Sequence, residues 1–296
     1  MRVFDTSFDY KTDKSRKTKR GRASGFPPSS DEVTQELGDP DENSARLRED
    51  HELLWTKELR PGVVFAPSAS SARSNQYLIY TDDSGVRHCY GSDTITSSYT
   101  GRSRPASLAA AIAGLSDEQR ARYLDTPYTV ASAMIWPVRS KDRPTMNQAR
   151  GFGPSGQEIG DRMDLTLECV RRHYAGEPAG PLADVVNAYK DFFELFGGFK
   201  EFVDFFHFQD LVTPDYKSVR FFLPFDDFES SGLPATTDDY ITYREATLEF
   251  IAGRGRRMAE WVVAHHPEVE VHCPWRRLRR PGTTGLGIPA APQDPR

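Results

Sequence analysis

Apolar and polar residues alternate in short runs over the first half of this chain and recur at three- and four-residue intervals over the second. The opening Val3-Phe4-Asp5-Thr6-Ser7-Phe8-Asp9-Tyr10 alternates loosely and suits an added edge strand. Ser44 is placed to cap a helix running to about Trp55, with Leu47, Leu54 and Trp55 on its apolar face. The runs Val63-Val64-Phe65, Tyr77 to Tyr80 and Val86 to Tyr90 read as strands. Asp82-Asp83-Ser84-Gly85 supplies the turn between the last two. Ser107 to Leu115 reads as a helix. A capping box, Ser116-x-x-Gln119, starts a short one ending near Leu124. Tyr128 to Trp136 is β-branched and apolar and stops at Pro137, which predicts a buried strand.

In the second half, Ser155-x-x-Glu158 is a further capping box and predicts a helix to about Tyr174. Two phenylalanine-rich helices follow, Leu182 to Leu195 and Phe199 to Leu211, parted by Gly197-Gly198. Val219 to Leu223 reads as a strand. The last helix is capped near Thr237 and runs to about His265, with Tyr240, Leu248, Ile251, Met258, Trp261 and Val262 as its apolar stripe. Gly253 and Gly255 weaken its middle. Strands early and helices late predict an α+β fold: a single domain whose short, mostly antiparallel N-terminal strands pack against a helical C-terminal half. The expected divisions are a basic and acidic flexible arm at 1–43, the α+β domain at 44–266, and a basic, Pro/Gly-rich tail at 267–296.

Composition narrows the class. The 296 residues are 38% hydrophobic and 27% charged, enough for one large domain or two modest ones. A mean hydropathy of -0.60 leaves room for unpacked segments. No apolar run approaches the ~18–20 residues a bilayer span needs. The N-terminus shows Asp5, Asp9 and a basic run where a secretory signal would be apolar. Cys89, Cys169 and Cys273 form no Cys-x-x-Cys pair. A cytoplasmic protein is expected, neither membrane-bound nor a zinc finger nor a disulfide scaffold. The net charge of -5 argues against a general nucleic-acid coat. Contact with nucleic acid would fall to the basic arm, Lys11 to Arg22, or to the second basic patch at Trp275 to Arg280.

The densest polar pattern is Thr145-Met146-Asn147-Gln148-Ala149-Arg150-Gly151 and the helix predicted after it. Met163, Leu167, Val170 and Tyr174 form that helix's buried stripe, with Cys169 opposite the carboxylates as a small buried hydrophobe. Glu158, Asp161, Asp164, Glu168 and Arg171 share a second stripe. Carboxylates on one face repel until something neutralises them. Mg²⁺ or Mn²⁺ could do so, as hard cations that take oxygen ligands. Arg150, Arg162, Arg171 and Arg172 could do it equally well. Residues 151–156 spell G-x-G-x-x-G, yet the nearest predicted strand ends more than ten residues earlier, so no dinucleotide fold is indicated. Backbone N–H groups there, with Arg150 beside them, could still hold a phosphate or carboxylate.

His51 shares a helix face with Trp55. His173 closes a helix, where the dipole favours its charged form. No H-E-x-x-H and no G-x-S-x-G occurs. The phenylalanines from Phe192 to Phe208 fall at helical spacing and predict core, with some members available to line a pocket or a dimer face.

Thr145 to Gly151 and Ile159 to Tyr174 resemble an uncharacterised bacterial, mainly actinobacterial, protein family. Phe4-Asp5-Thr6, Leu54-Trp55, Val203 to Phe206 and Gln209 to Val212 are similar to it as well. The resemblance covers most of residues 1–250 and implies one family-wide unit without implying an activity. Two functions remain open. One is an enzyme acting on a phosphate-bearing or nucleotide-like small molecule. There Asn147, Arg150, Arg162 and Arg171 bind substrate, and Asp161, Asp164 and Glu168 act as general acid and base or hold the metal. The other is a non-catalytic protein that binds a partner through the basic arm or an aromatic surface. Convergence of the site residues in a cleft would favour the first.

Overall fold

A computed structural model describes residues 2–13, 40, 44–69, 78–99, 106–124, 126–138, 145–151 and 159–274. The expectations for most of the arm, for the Ser155 capping box, for 152–156 and for the patch and tail after 274 lie outside these residues. Strand β1 (Val3–Asp5) leads to a 3-10 turn at Tyr10–Thr12 and helix α1 (Ala45–Trp55). The Ser44 hydroxyl accepts from Leu47 N at 2.9 Å and caps α1 as its sequence predicts. β2 (Lys57–Arg60) and β3 (Val63–Phe65) form an antiparallel hairpin. β4 (Ser68–Ala69), β5 (Leu78–Thr81), β6 (Arg87–Thr94) and β7 (Ala133–Pro137) form an antiparallel sheet in that order. Asp82 Oδ1 accepts from Ser84 N and Val86 N and closes the β5–β6 turn.

Helices α2 (Ala106–Ala113) and α3 (Asp117–Tyr123) fill the connection from β6 to β7, and both halves of the α3 capping box are made. Among the described residues six further helices follow: α4 (Met146–Arg150), α5 (Met163–Ala175), α6 (Ala183–Ala188), α7 (Lys190–Glu194), α8 (Phe199–Phe205) and α9 (Thr237–His265). The fold is α+β, with the antiparallel strands early and the helices late. A last strand, β8 (Glu270–His272), pairs in parallel with β1. Phe4 and Tyr10 are fully buried. The packed unit therefore extends past 44–266 at both ends, because two apolar side chains near the start find room beside α1 and α9.

Five local expectations are corrected. Of the Tyr128–Trp136 run only the part from Ala133 on is strand, in β7 (Ala133–Pro137). Val130–Ser132 is a 3-10 turn whose Ala131 carbonyl, like that of Ala133, accepts from Arg254 Nη1. Val219 makes a single bridge to Val212 and no strand follows, since Phe222 N donates to the Asp164 carboxylate instead of to a ladder. The Leu182–Leu195 helix breaks at Tyr189, and the Phe199–Leu211 helix stops before His207, whose φ is +59°. The helix predicted from Glu158 begins only at Met163, because Gly160 and Asp161 both hold left-handed φ values of +53° and +56°. A Cβ on Gly160 would stand 2.3 Å from Leu233 Cδ2, so this turn also needs glycine for close approach.

The phenylalanines are core. Phe192, Phe193, Phe196, Phe202, Phe206 and Phe208 are buried and meet edge-to-face or tilted, as ring quadrupoles prefer. Helix α9 packs against α2, the Val130–Ser132 turn, β8 and β1. Its buried face carries Arg244 and Arg254 among Tyr240, Tyr243, Phe250 and Met258.

Candidate functional site

The late start of α5 dissolves the expected carboxylate stripe. Asp161 sits in the turn ahead of the helix and does not share a face with Asp164 and Glu168. Asp164 is fully buried and grips Arg162 through both oxygens, at 3.1 Å to Nε and 2.5 Å to Nη2. Burial works against the Arg162 charge, yet Asp164 more than offsets it and holds the guanidinium above its usual pKa. Arg162 Nη1 also donates to Gly232 O at 2.7 Å, so the pair ties α5 to the segment before α9. Glu168 is clasped by Arg171 at 2.8 and 2.9 Å and by Arg172 at 2.7 Å. Arg171 reaches on to Glu177, and Arg172 to Asp227. Hydrogen bonding to Glu168 raises the Arg171 pKa. Arginines thus pair with both of these carboxylates. Among the described residues no three His, Cys, Asp or Glu side chains gather to hold a metal.

Arg150 and Asn147 do come together, around a partner that lies outside the motif, and Asp161 joins them through the Arg150 backbone. Arg150 is fully buried. It donates to Asp93 Oδ2 at 2.9 Å, to Thr166 Oγ1 at 2.9 Å and to Thr94 O at 3.2 Å. The Asn147 amide, turned with its nitrogen toward Asp93, donates to both carboxylate oxygens at 3.2 and 2.8 Å. Asp161 N donates to Arg150 O at 2.8 Å. Burial raises the Asp161 pKa, and Arg150 opposes the rise. These contacts tie Arg150 to the end of β6 and to α5, while its Nη2 is buried without a hydrogen-bond partner among the described residues.

The remaining sequence candidates are structural. Trp55 Nε1 donates to His51 Nδ1 at 2.8 Å, so the His51 Nε2 proton faces Ser92 Oγ, 3.1 Å away. That tautomer cannot take a proton from Ser92. Burial and Arg254 push His51 down to about 3. His173 is lowered too, since burial outweighs the Glu194 carboxylate and the helix terminus expected to favour its charge. Cys169 is fully buried, and burial pushes its thiol up to about 12.

A cleft of about 360 Å³ opens on the other side of the wall that Arg150 braces. Four segments form it: the end of β6 with Thr96, Ser97 and Ser98, the stretch Thr126 to Ser132, helix α9, and Lys11 from the N-terminal turn. None of these described lining residues is Asp or Glu. Arg244, 2% exposed, donates to Tyr123 O at 3.2 Å, Ser97 O at 3.4 Å, Thr247 Oγ1 at 3.3 Å and Thr126 Oγ1 at 3.0 Å. All four acceptors are neutral. Lys11 Nζ rests on Thr126 O at 2.8 Å. The Thr129 hydroxyl is buried and has no hydrogen-bond partner among the described residues. Sequence reasoning passed over this cleft, although Thr94-Ile95-Thr96-Ser97-Ser98 is the densest hydroxyl run near a strand end.

No helix among the described residues is long and apolar enough to cross a membrane. No curated protein and no solved structure matches the chain. A family model described as "Family of unknown function (DUF6994)" matches residues 4–258, nearly the whole span for which the sequence resembles an uncharacterised family. The chain belongs to this family of unknown function.

Proposed function

We propose that the protein binds a hydroxyl-bearing, phosphate-carrying small molecule, of sugar-phosphate or nucleotide-like class, in the cleft walled by Thr96 to Ser98, Thr126 to Ser132 and α9. The observation that carries this reading is Arg244. A buried guanidinium surrounded only by neutral acceptors leaves a positive field in the cleft beside it. Buried charge is costly unless a counter-charge meets it, so an anion entering here offsets a cost the protein already bears. Lys11 adds a second cation at the mouth. The Ser and Thr side chains supply donors and acceptors for ligand hydroxyls, and Thr129 Oγ1 has capacity to spare.

Asn147, Arg150 and Asp161 support the cleft wall in this account, and Asp164 and Glu168 hold α5 through arginine. Most of the Phe192–Phe208 rings are buried, which supports the small-molecule reading over a partner bound through an aromatic surface. A thermal-shift series tests the proposal with ribose 5-phosphate and AMP set against ribose and adenosine. A ligand at a hundred times its Kd stabilises by about 2.7 kcal/mol. Tm should rise with the phosphorylated compounds only, and the rise should shrink in Lys11→Gln and Arg244→Lys. Equal shifts with the unphosphorylated compounds, or no shift in the folded wild type, would refute it.

A further inference from the structure

We propose that a second cleft, lined by Lys57 and Glu201, binds a zwitterionic α-amino acid with an apolar side chain. This cleft, of about 240 Å³, lies between β2, α8 and the C-terminal part of α9 and shares no lining residue with the anion cleft. Lys57 Nζ stands among three aromatic faces, 5.1 Å from the Trp55 ring centre, 4.9 Å from Phe205 and 4.5 Å from Trp261. It donates to Phe205 O at 2.8 Å and to the lone pair of His207 Nε2 at 2.9 Å. Ring faces and lone pairs are the surroundings of an ammonium. An ammonium has three N–H donors, and these two acceptors leave the third for a ligand. Among the described residues no carboxylate pairs with Lys57. Its neighbour across the Trp55 ring is a second cation, the fully buried Arg254. Arg254 donates only to carbonyls, Phe206 O at 3.0 Å, Ala131 O at 2.7 Å and Ala133 O at 2.8 Å, and its Nη2 has no hydrogen-bond partner among the described residues. Arg257, further on, is neutralised by Asp210 at 2.7 and 2.8 Å. Burial and Arg254 both work against charge on Lys57. Two cations thus share this part of the fold without a counter-charge, and a carboxylate in the cleft provides one.

The rim has the opposite shortage. Glu201 is exposed in the first turn of α8 and forms no salt bridge among the described residues. Its acidic neighbours are engaged: Asp204 holds Lys200 and the Tyr216 hydroxyl, and Glu58 accepts from Gly62 N. Lys57 and Glu201 line one cleft without bridging to each other, so a ligand that meets both carries both charges. A simple anion meets repulsion from Glu201, Glu58 and Asp204, and a simple cation meets it from Lys57. An α-amino acid bears carboxylate and ammonium on one carbon. Its side chain then falls to Leu59, Phe196, Phe205 and Trp261, walls that favour an apolar and above all an aromatic group. The cleft is smaller than those that take drug-sized ligands, which suits a single amino acid.

The test is titration calorimetry on the full chain with L-phenylalanine. Three comparisons each lack one feature: 3-phenylpropanoate the ammonium, 2-phenylethylamine the carboxylate, and glycine the side chain. L-Phenylalanine should bind saturably at one site, and each comparison at least about 10-fold more weakly. Lys57→Met removes the charge and keeps an apolar stem, and should weaken L-phenylalanine at least about 10-fold. Glu201→Gln, a change on the exposed rim, should weaken L-phenylalanine and tighten 3-phenylpropanoate. Lys11→Gln, in the other cleft, should leave L-phenylalanine binding unchanged. No saturable binding to the folded wild type, or an affinity unchanged in Lys57→Met or in Glu201→Gln, overturns the site. Equal binding of 3-phenylpropanoate or 2-phenylethylamine overturns the zwitterion, and equal binding of glycine overturns the apolar side chain.

Discussion

Asp50 and His51 are neighbours on α1 and answer acid in opposite directions. Burial raises the Asp50 carboxyl from 3.8 to about 6, despite hydrogen bonding from Tyr10 and the nearby Arg2 and Arg46. The unfolded chain keeps the ordinary value. Ionised Asp50 therefore costs the fold about 3 kcal/mol above pH 6, and the cost fades as pH falls toward 3.8. His51 is held neutral down to about 3, so its contribution is complete above 6.5 and is lost as pH falls through that window. In Asp50→Asn the Tyr10 hydroxyl keeps an acceptor. The variant should be more stable than wild type by up to about 3 kcal/mol at pH 7.5, with most of that advantage gone at pH 4. Urea unfolding at the two pH values measures it, and an advantage that does not change with pH would contradict the assignment. At this scale the sequence was legible where partners lie a helical turn apart, as with His51 and Trp55. It was silent where a charge meets its partner across the fold. Arg150 stands out in its motif, but Asp93, 57 positions away, carries no mark that it would pair with that guanidinium. Arg244 and Arg254 lie in an apolar stripe and give no sign that backbone carbonyls will surround them.

Elements with a polar start at the right spacing emerge where the residues predict them. Ser44 opens α1, Ser116 and Gln119 open α3, and Thr236 with Asp239 opens α9 within a residue of expectation. The element that carries the supposed chemistry is among those misread, because a left-handed pair looks no different from ordinary helix in a periodicity plot. Gly160-Asp161 resets the helix start and moves Asp161 off its face. Two costs meet at Gly160, the left-handed backbone and the Leu233 side chain against its Cα. Gly62, in the β2–β3 turn, has φ +80° and open space around it. Gly62→Ala isolates the backbone cost, of about 1 kcal/mol. Gly160→Ala should cost about 1–2 kcal/mol more, read from chemical denaturation. Equal losses in the two variants would mean that Leu233 does not press on the turn.

Over the whole molecule, the class was legible because short strands and long amphipathic helices are local patterns, while the closing of the chain on itself was not. β1 and β8 pair across almost the full length, and three-residue strands are too brief for periodicity to place in register. The first residues still matter: Phe4 and Tyr10 fill the core and Lys11 reaches the cleft. Deleting residues 2–13 should lower Tm by more than 10 °C and expose dye-binding apolar surface, whereas a dispensable arm would leave both unchanged. The cleft escaped notice for the same reason as the closure. Its walls come from four separated segments, and no one of them is a motif. Titration calorimetry of ribose 5-phosphate into wild type and Lys11→Gln tests its role most directly. Saturable one-to-one binding in wild type, weakened at least 10-fold in Lys11→Gln while Tm without ligand is preserved, is the predicted result. Binding that is absent from the folded wild type, or indifferent to Lys11, would contradict an anion site between Lys11 and Arg244.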